Sequence, residues 1–166
     1  MKPIYIRLLY ILFCAASTIC SANELHDIQH EVLTTHNKLR AIHQAPPLKW
    51  DDSLRIYAEH HARTCHFAHS ATPYGENLAA GYPSVAAAIN AWYIENAQYS
   101  YKHSEYTHDT GHFTQLVWAS SKKVGCGYVT CNGENGTPGK YLVCEYSPAG
   151  NVTNNGYFKR NVLPPV

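Results

Sequence analysis

The chain has 166 residues, with 13 basic and 12 acidic side chains, a formal charge of +1 and 11 histidines. That balance leaves no basic cluster able to follow a phosphate backbone, so a nucleic-acid partner is excluded. Histidine titrates near pH 6.5, so mild acid turns the protein distinctly cationic.

Lys2 and Arg7 form a basic start, residues 8–16 are an apolar run, and Cys20-Ser21-Ala22 sets small side chains where a signal peptidase cuts. Residues 1–22 are read as a signal peptide and residues 23–166 as one domain, secreted to the extracellular space. No later segment approaches the ~20 apolar residues that a membrane helix needs. Without the leader 144 residues remain, enough for one domain with a core, and loss of Lys2 and Arg7 takes the formal charge to −1.

Over residues 24–42 the spacing of Leu25, Ile28, Val32, Leu39 and Ile42 predicts a helix with one apolar stripe, ended by Pro46-Pro47. Asp51 or Asp52 caps a second helix, with Leu54, Tyr57, Ala58, Ala62 and Cys65 facing inward. Residues 66–83 read as a loop. Ser84 caps a third helix in which Val85, Ala88, Ile89 and Trp92 share a face, and Glu95 points to the same side. A polar loop rich in Tyr and His covers residues 99–110, and a short helix follows over residues 113–119. Residues 122–130 and 140–146 are strand-like runs joined by the turn-rich "NGENGTPG", which predicts a hairpin. Helices first and strands late predict an α+β fold, an antiparallel sheet covered by helices.

Cys14 and Cys20 leave with the leader, and Cys65, Cys126, Cys131 and Cys144 remain. Four cysteines in a secreted chain predict two disulfides, with three connectivities open. A four-thiolate zinc site is disfavoured, because Cys126 and Cys131 have no second close pair. Imidazoles and carboxylates in apolar or turn-forming surroundings mark His69, Glu76, Glu95 and His112. Together they would suit zinc or magnesium with water, although their spacing forms no local ligand motif. A simple structural role, each histidine hydrogen-bonded to a glutamate, is compatible with that. A nucleophile is not evident: GxSxG is absent, the cysteines are expected to be oxidised, and Ser70 beside His69 is no sign of a triad.

"GHFTQLVWASS" (111–121) and "YLVCEYSPAGNV" (141–152) resemble the two signature segments of the CAP superfamily, the cysteine-rich secretory, antigen 5 and pathogenesis-related group 1 proteins. "HS…PYGENLA" (69–79) and "AAINAWYIENAQY" (87–99) resemble its other recurrent segments in the same order, and the likeness is nearest to the fungal sterol-binding branch. The resemblance implies an α-β-α sandwich with a cleft lined by His69, Glu76, Glu95 and His112, and weak divalent metal binding there. It implies the disulfides Cys65–Cys131 and Cys126–Cys144, and assigns sterol recognition to Tyr99, Tyr101 and Tyr106, whose flat faces carry hydroxyl handles. The alternative for these tyrosines is a solvated loop with aromatic anchors. Glu145 departs from the family, which usually has an uncharged or basic polar residue there, and is expected to alter the local charge.

Asn135 and Asn151 open glycosylation sequons; Asn135, in the hairpin loop, is the expected acceptor, and Asn151 reads as a buried structural amide. His103 and His108 are expected to be exposed. The function these features imply is non-catalytic binding of a sterol, or of a fatty acid between helices, with transient contact with membrane lipid. The competing readings are a metal-dependent hydrolase using the four cleft residues and a host-directed or antimicrobial protein-interaction module.

Overall fold

The structure, a computed structural model, describes residues 4–166, with side chains from residue 23 onward. The expected signal peptide falls on residues 1–22, outside the described side chains. Among the described residues no helix is long and apolar enough to cross a membrane.

The first helix, α1, runs Ile4–Ile42. On its described part Val32 and Leu39 enter the core as predicted, and three polar side chains, His36, Arg40 and His43, go in beside them. Buried polar groups persist only when hydrogen-bonded, and each of these is. His36 donates to Val32 O at 2.9 Å and faces the Tyr146 hydroxyl at 2.8 Å; burial pushes its imidazole down to about 4, so it is neutral. Arg40 donates four hydrogen bonds, all to backbone carbonyls: Pro46, Leu116, Trp118 and Ser121.

A two-residue strand β1, Lys49–Trp50, leads to α2, Asp52–Ala62, capped by Asp51, whose Oδ1 accepts from the Ser53 and Leu54 amides. Tyr57 does not face inward as predicted: it is exposed and meets Tyr74 edge-on, while Cys65 is buried beyond the helix end. The predicted loop over residues 66–83 contains a strand, β2, Gly75–Ala80. Its run of small and polar residues lacks alternation, and the strand exists because β4 pairs along its whole length. Gly75 has no room for a Cβ, which would collide with Gln115 Oε1.

Ser84 caps α3, Val85–Ile94, and the predicted inward face is buried. A 3₁₀ turn, Glu95–Gln98, and another, His108–Thr110, flank the tyrosine-rich loop, and α4 follows as Gly111–Val117, two residues earlier than predicted. The hairpin strands are β3, Lys123–Thr130, and β4, Lys140–Ser147. A last turn of helix, α5, Tyr157–Asn161, seats Phe158 edge-on against Trp118 with ring centroids 5.0 Å apart.

The sheet order is β1-β3-β4-β2, with β1 parallel to β3 and the other pairs antiparallel. Helices α1, α3 and α4 cover one face around Ile89, Trp92, Phe113, Trp118 and Tyr146, all buried. Helix α2 covers the other over Ala58, Ala62, Leu78, Tyr141 and Val143. It lies so close to β3 that a Cβ on Gly125 or Gly127 would meet its backbone. Both expected disulfides form, one within each layer: Cys126–Cys144 and Cys65–Cys131. The α-β-α sandwich is as the resemblance implies.

Candidate functional site

The four cleft residues form two His–Glu arms. In one, Glu95 follows α3 and reaches the start of α4. Its Oε1 accepts from His112 Nδ1 at 2.6 Å, and its Oε2 accepts from the backbone N–H groups of His112 and Phe113, each at 3.0 Å. The first amides of a helix have no intrahelical acceptor and carry partial positive charge, so Glu95 is an N-terminal cap supplied from another element. Arg40 donates to Leu116 O and Trp118 O at the other end. A seven-residue helix is thereby held between an anion at its start and a cation at its end. The His112 ring stacks on Trp92 with centroids 6.2 Å apart, and the Asn77 amide holds the His112 carbonyl at 3.0 Å.

In the other arm Glu76 lies on β2 and is nearly buried, while His69 sits on the preceding loop and is largely exposed. Glu76 Oε1 accepts from His69 Nδ1 at 2.7 Å and the Ser70 amide at 3.0 Å; Oε2 accepts from Ser70 Oγ at 2.6 Å. Burial alone would raise the Glu76 carboxyl, but these hydrogen bonds outweigh it and hold the group down to about 2; the same contact raises His69. Ser70 thus donates its hydroxyl to a carboxylate.

Directly across the ladder from Glu76 stands Glu145, fully buried, with no donor to either oxygen among the described residues. Burial, then the neighbouring Glu76, pushes its carboxyl up to about 9, so it is a neutral acid at physiological pH. In that form its own O–H is the available donor and Glu76 the acceptor it faces. The expected change of local charge is therefore not realised, because the carboxylate is too poorly solvated to ionise.

A cavity of about 360 Å³ lies between the arms, lined by His69, Glu76, Asn77, Tyr106, His112 and Asn151 among others. An aromatic groove of about 240 Å³ adjoins it, where Phe67, Tyr82 and Trp92 meet Glu95 and His112. Of the three tyrosines singled out in the sequence, only Tyr106, 47 % exposed, fronts the cavity. Tyr99 is 7 % exposed and packs edge-on against Phe113 and Tyr101. Tyr101 stacks at 6.3 Å on His43, which is itself bonded to Leu163 O and the Tyr93 hydroxyl. His103 and His108 are exposed as expected.

A divalent ion would find both Nδ1 atoms and both carboxylates already engaged, leaving the Nε2 edges of His69 and His112 as donors. Among the described residues no three His, Cys, Asp or Glu side chains converge closely enough to hold an ion by themselves. The donor set thus fits a weakly held, water-rich ion with the carboxylates orienting the imidazoles from behind.

Asn135 is exposed in the hairpin loop, and its amide donates to Thr64 O at 2.7 Å. Asn151, expected as a buried structural amide, is half-buried: it donates to Gly111 O at 2.8 Å and accepts from Thr114 Oγ1 at 2.7 Å, tying the loop after β4 to α4.

Two helical layers on a four-stranded, mostly antiparallel sheet, with paired His–Glu arms across one cleft, define an α-β-α sandwich with a His- and Glu-lined cleft. Residues 33–146 match the family described as "CAP: Cysteine-rich secretory protein family", and the chain belongs to it. It is 44 % identical over 149 residues to "Secreted protein RBT4" of Candida albicans, a match covering 81 % of this chain and 40 % of that protein. It is 37 % identical over 156 residues to "Pathogenesis-related protein 1" of Arabidopsis thaliana, covering 90 % and 94 %. Among solved structures it is similar to "NaASP2 with Zn2+", with a TM-score of 0.64 and 25 % identity, covering 84 % of this chain and 86 % of that one. The chain spans about half the length, or less, of fungal relatives such as RBT4.

Proposed function

We propose that this is a secreted CAP-domain protein that takes up a small hydrophobic ligand, a sterol first and a fatty acid second, without catalysing a reaction. The observation that carries the reading is the exposed Tyr106 ring at the mouth of a cavity that runs on into an aromatic groove. The groove supplies apolar walls and the cavity convergent polar groups, the two elements that small-ligand sites combine. The exposed ring and groove also suit brief contact with a lipid surface during transfer. Asn135 is the proposed glycan acceptor. Saturable binding of radiolabelled cholesterol by the secreted protein is the expected result, with affinity reduced about tenfold or more in Tyr106→Ala. Absence of saturable binding, or full binding by that variant, removes the sterol reading. Tyr99 and Tyr101 serve less well in such a test, since truncating a core aromatic disturbs folding.

A second reading concerns metal. The two free Nε2 edges support weak binding of a zinc-class ion at His69 and His112, and a structural relative is described with Zn2+. A bound ion would supply Lewis acidity to a ligand oxygen or to water. This chain's own residues would orient it through the glutamate-held imidazoles, and a hydrolase would have to draw its nucleophile from water, since Ser70 is committed to Glu76. Zinc titration by calorimetry should show one weak site, lost in His112→Ala; unchanged binding in that variant overturns the assignment.

A further inference from the structure

The sheet has two outer edges, and they are treated differently. The edge of β2 is plugged: Trp92 Nε1 donates to Leu78 O at 3.0 Å, so the indole stands where another strand would lie. The edge of β3 has no such plug. Strand β3 is eight residues long and its neighbour β1 only two, pairing with Lys123 and Val124 and leaving the rest of that lane vacant. The direction of the unused groups follows from the register. Val124 O accepts from the Asp51 amide in the β1 lane at 3.0 Å, so Cys126, Tyr128 and Thr130, alternate residues on the same strand, aim their amides and carbonyls the same way. The Cα atoms of Cys126 and Cys144 are 4.2 Å apart, the close spacing of a pair that exchanges no hydrogen bonds, which agrees. Among the described residues no loop backbone takes up these groups.

The vacant lane is a slot of about 580 Å³ between two helices. One wall, on α1, presents the apolar pair Leu25 and Ile28, with Glu24 at its end. Lys140, over the Tyr128 ring, lies on that same α1 side, and the other wall is cationic on balance: Arg55 of α2 and Arg63 just past its end both pair with the single carboxylate of Glu59. An added strand would turn successive side chains to opposite walls.

We infer that the β3 edge is a docking site for an extended segment of another protein, whose apolar and acidic residues alternate. It would enter the β1 lane as a continuing strand, its backbone pairing with Cys126, Tyr128 and Thr130, its apolar side chains meeting Leu25 and Ile28, and its carboxylates meeting Arg55 and Arg63. This is recognition by strand addition, in which main-chain bonds supply affinity and alternate side chains supply specificity.

The test uses the protein secreted from its full sequence, labelled with ¹⁵N, titrated with an acetylated and amidated hexapeptide alternating valine and glutamate. Saturable amide shifts centred on Cys126, Tyr128 and Thr130 are expected. Replacing the glutamates by lysine should weaken binding about tenfold or more, and N-methylating the pairing amides of the peptide, which leaves the protein untouched, should abolish it. Arg63→Glu should reverse the preference between the two peptides. The inference is overturned by the lack of any saturable shift, by equal binding of the N-methylated peptide, or by shifts centred elsewhere. It is overturned too if the peptide-free protein is a dimer already protected at those amides, which would make a second copy the occupant.

Discussion

The two His–Glu arms use the same pair of side chains and hold them by different means. The Glu95–His112 arm is built into helix ends: its carboxylate caps α4, its imidazole stacks on Trp92, and Arg40 secures the far end of the same helix. The Glu76–His69 arm is built on a strand and a loop, with a nearly buried carboxylate, a second carboxyl behind it and a histidine side chain 66 % exposed against 33 % for His112. The difference teaches that one arm is a fixed wall of the cleft, whereas the other is a rigid carboxylate carrying an accessible imidazole.

The contrast can be broken most severely from the helix side. Arg40→Met removes four hydrogen bonds to backbone carbonyls, three of them buried, and should lower stability by about 3–5 kcal/mol in urea unfolding. Glu95→Ala orphans two amides and frees His112, with an expected loss of roughly 2–3 kcal/mol by the same measurement. On the strand side the effect should have the opposite sign. Between the ordinary carboxylate range and about pH 9 the folded state holds the Glu145 proton that the unfolded chain has released. Stability from that proton is present in acid and is lost as pH rises. Glu145→Gln keeps the shape and donates to Glu76 without needing a proton. It should be more stable than the parent at pH 8 by on the order of 1–2 kcal/mol, with a flatter Tm profile up to pH 9. A parent Tm that does not fall with alkali would refute the neutral carboxyl. Smallest of all, His69→Ala should change stability by no more than ~0.5 kcal/mol, as exposed pairs do, while zinc titration of that variant reports on its free Nε2.

Much of this architecture was legible beforehand because it follows from period and capping: the stripe of α1, the caps Asp51 and Ser84, the hairpin, and the four cleft residues through their family segments. What escaped has identifiable causes. Strand β2 has almost no apolar alternation, since its identity comes from pairing with β4. Arg40, His36 and His43 fall on the same helical stripe as Val32 and Leu39, so the spacing was there; a search for apolar residues alone passes over polar ones satisfied by carbonyls or hydroxyls. Tyr99 and Tyr101 sit in a polar loop, yet fold inward because Phe113 at the start of α4 needs covering. The fate of Glu145 depends on a cross-strand neighbour 69 residues away in sequence, a pairing that only the ladder supplies.

The Cys65–Cys131 bond joins positions 66 residues apart, and all four arm residues lie between them. The cleft therefore belongs to a covalently closed ring. A single proteolytic cut in the exposed stretch around His103 would open that ring without releasing either half of the site, because each fragment would stay tethered through the bond. Recognition could outlast a nick that would dismember an unbridged chain, and the same bond, once reduced, would turn that harmless cut into loss of the cleft.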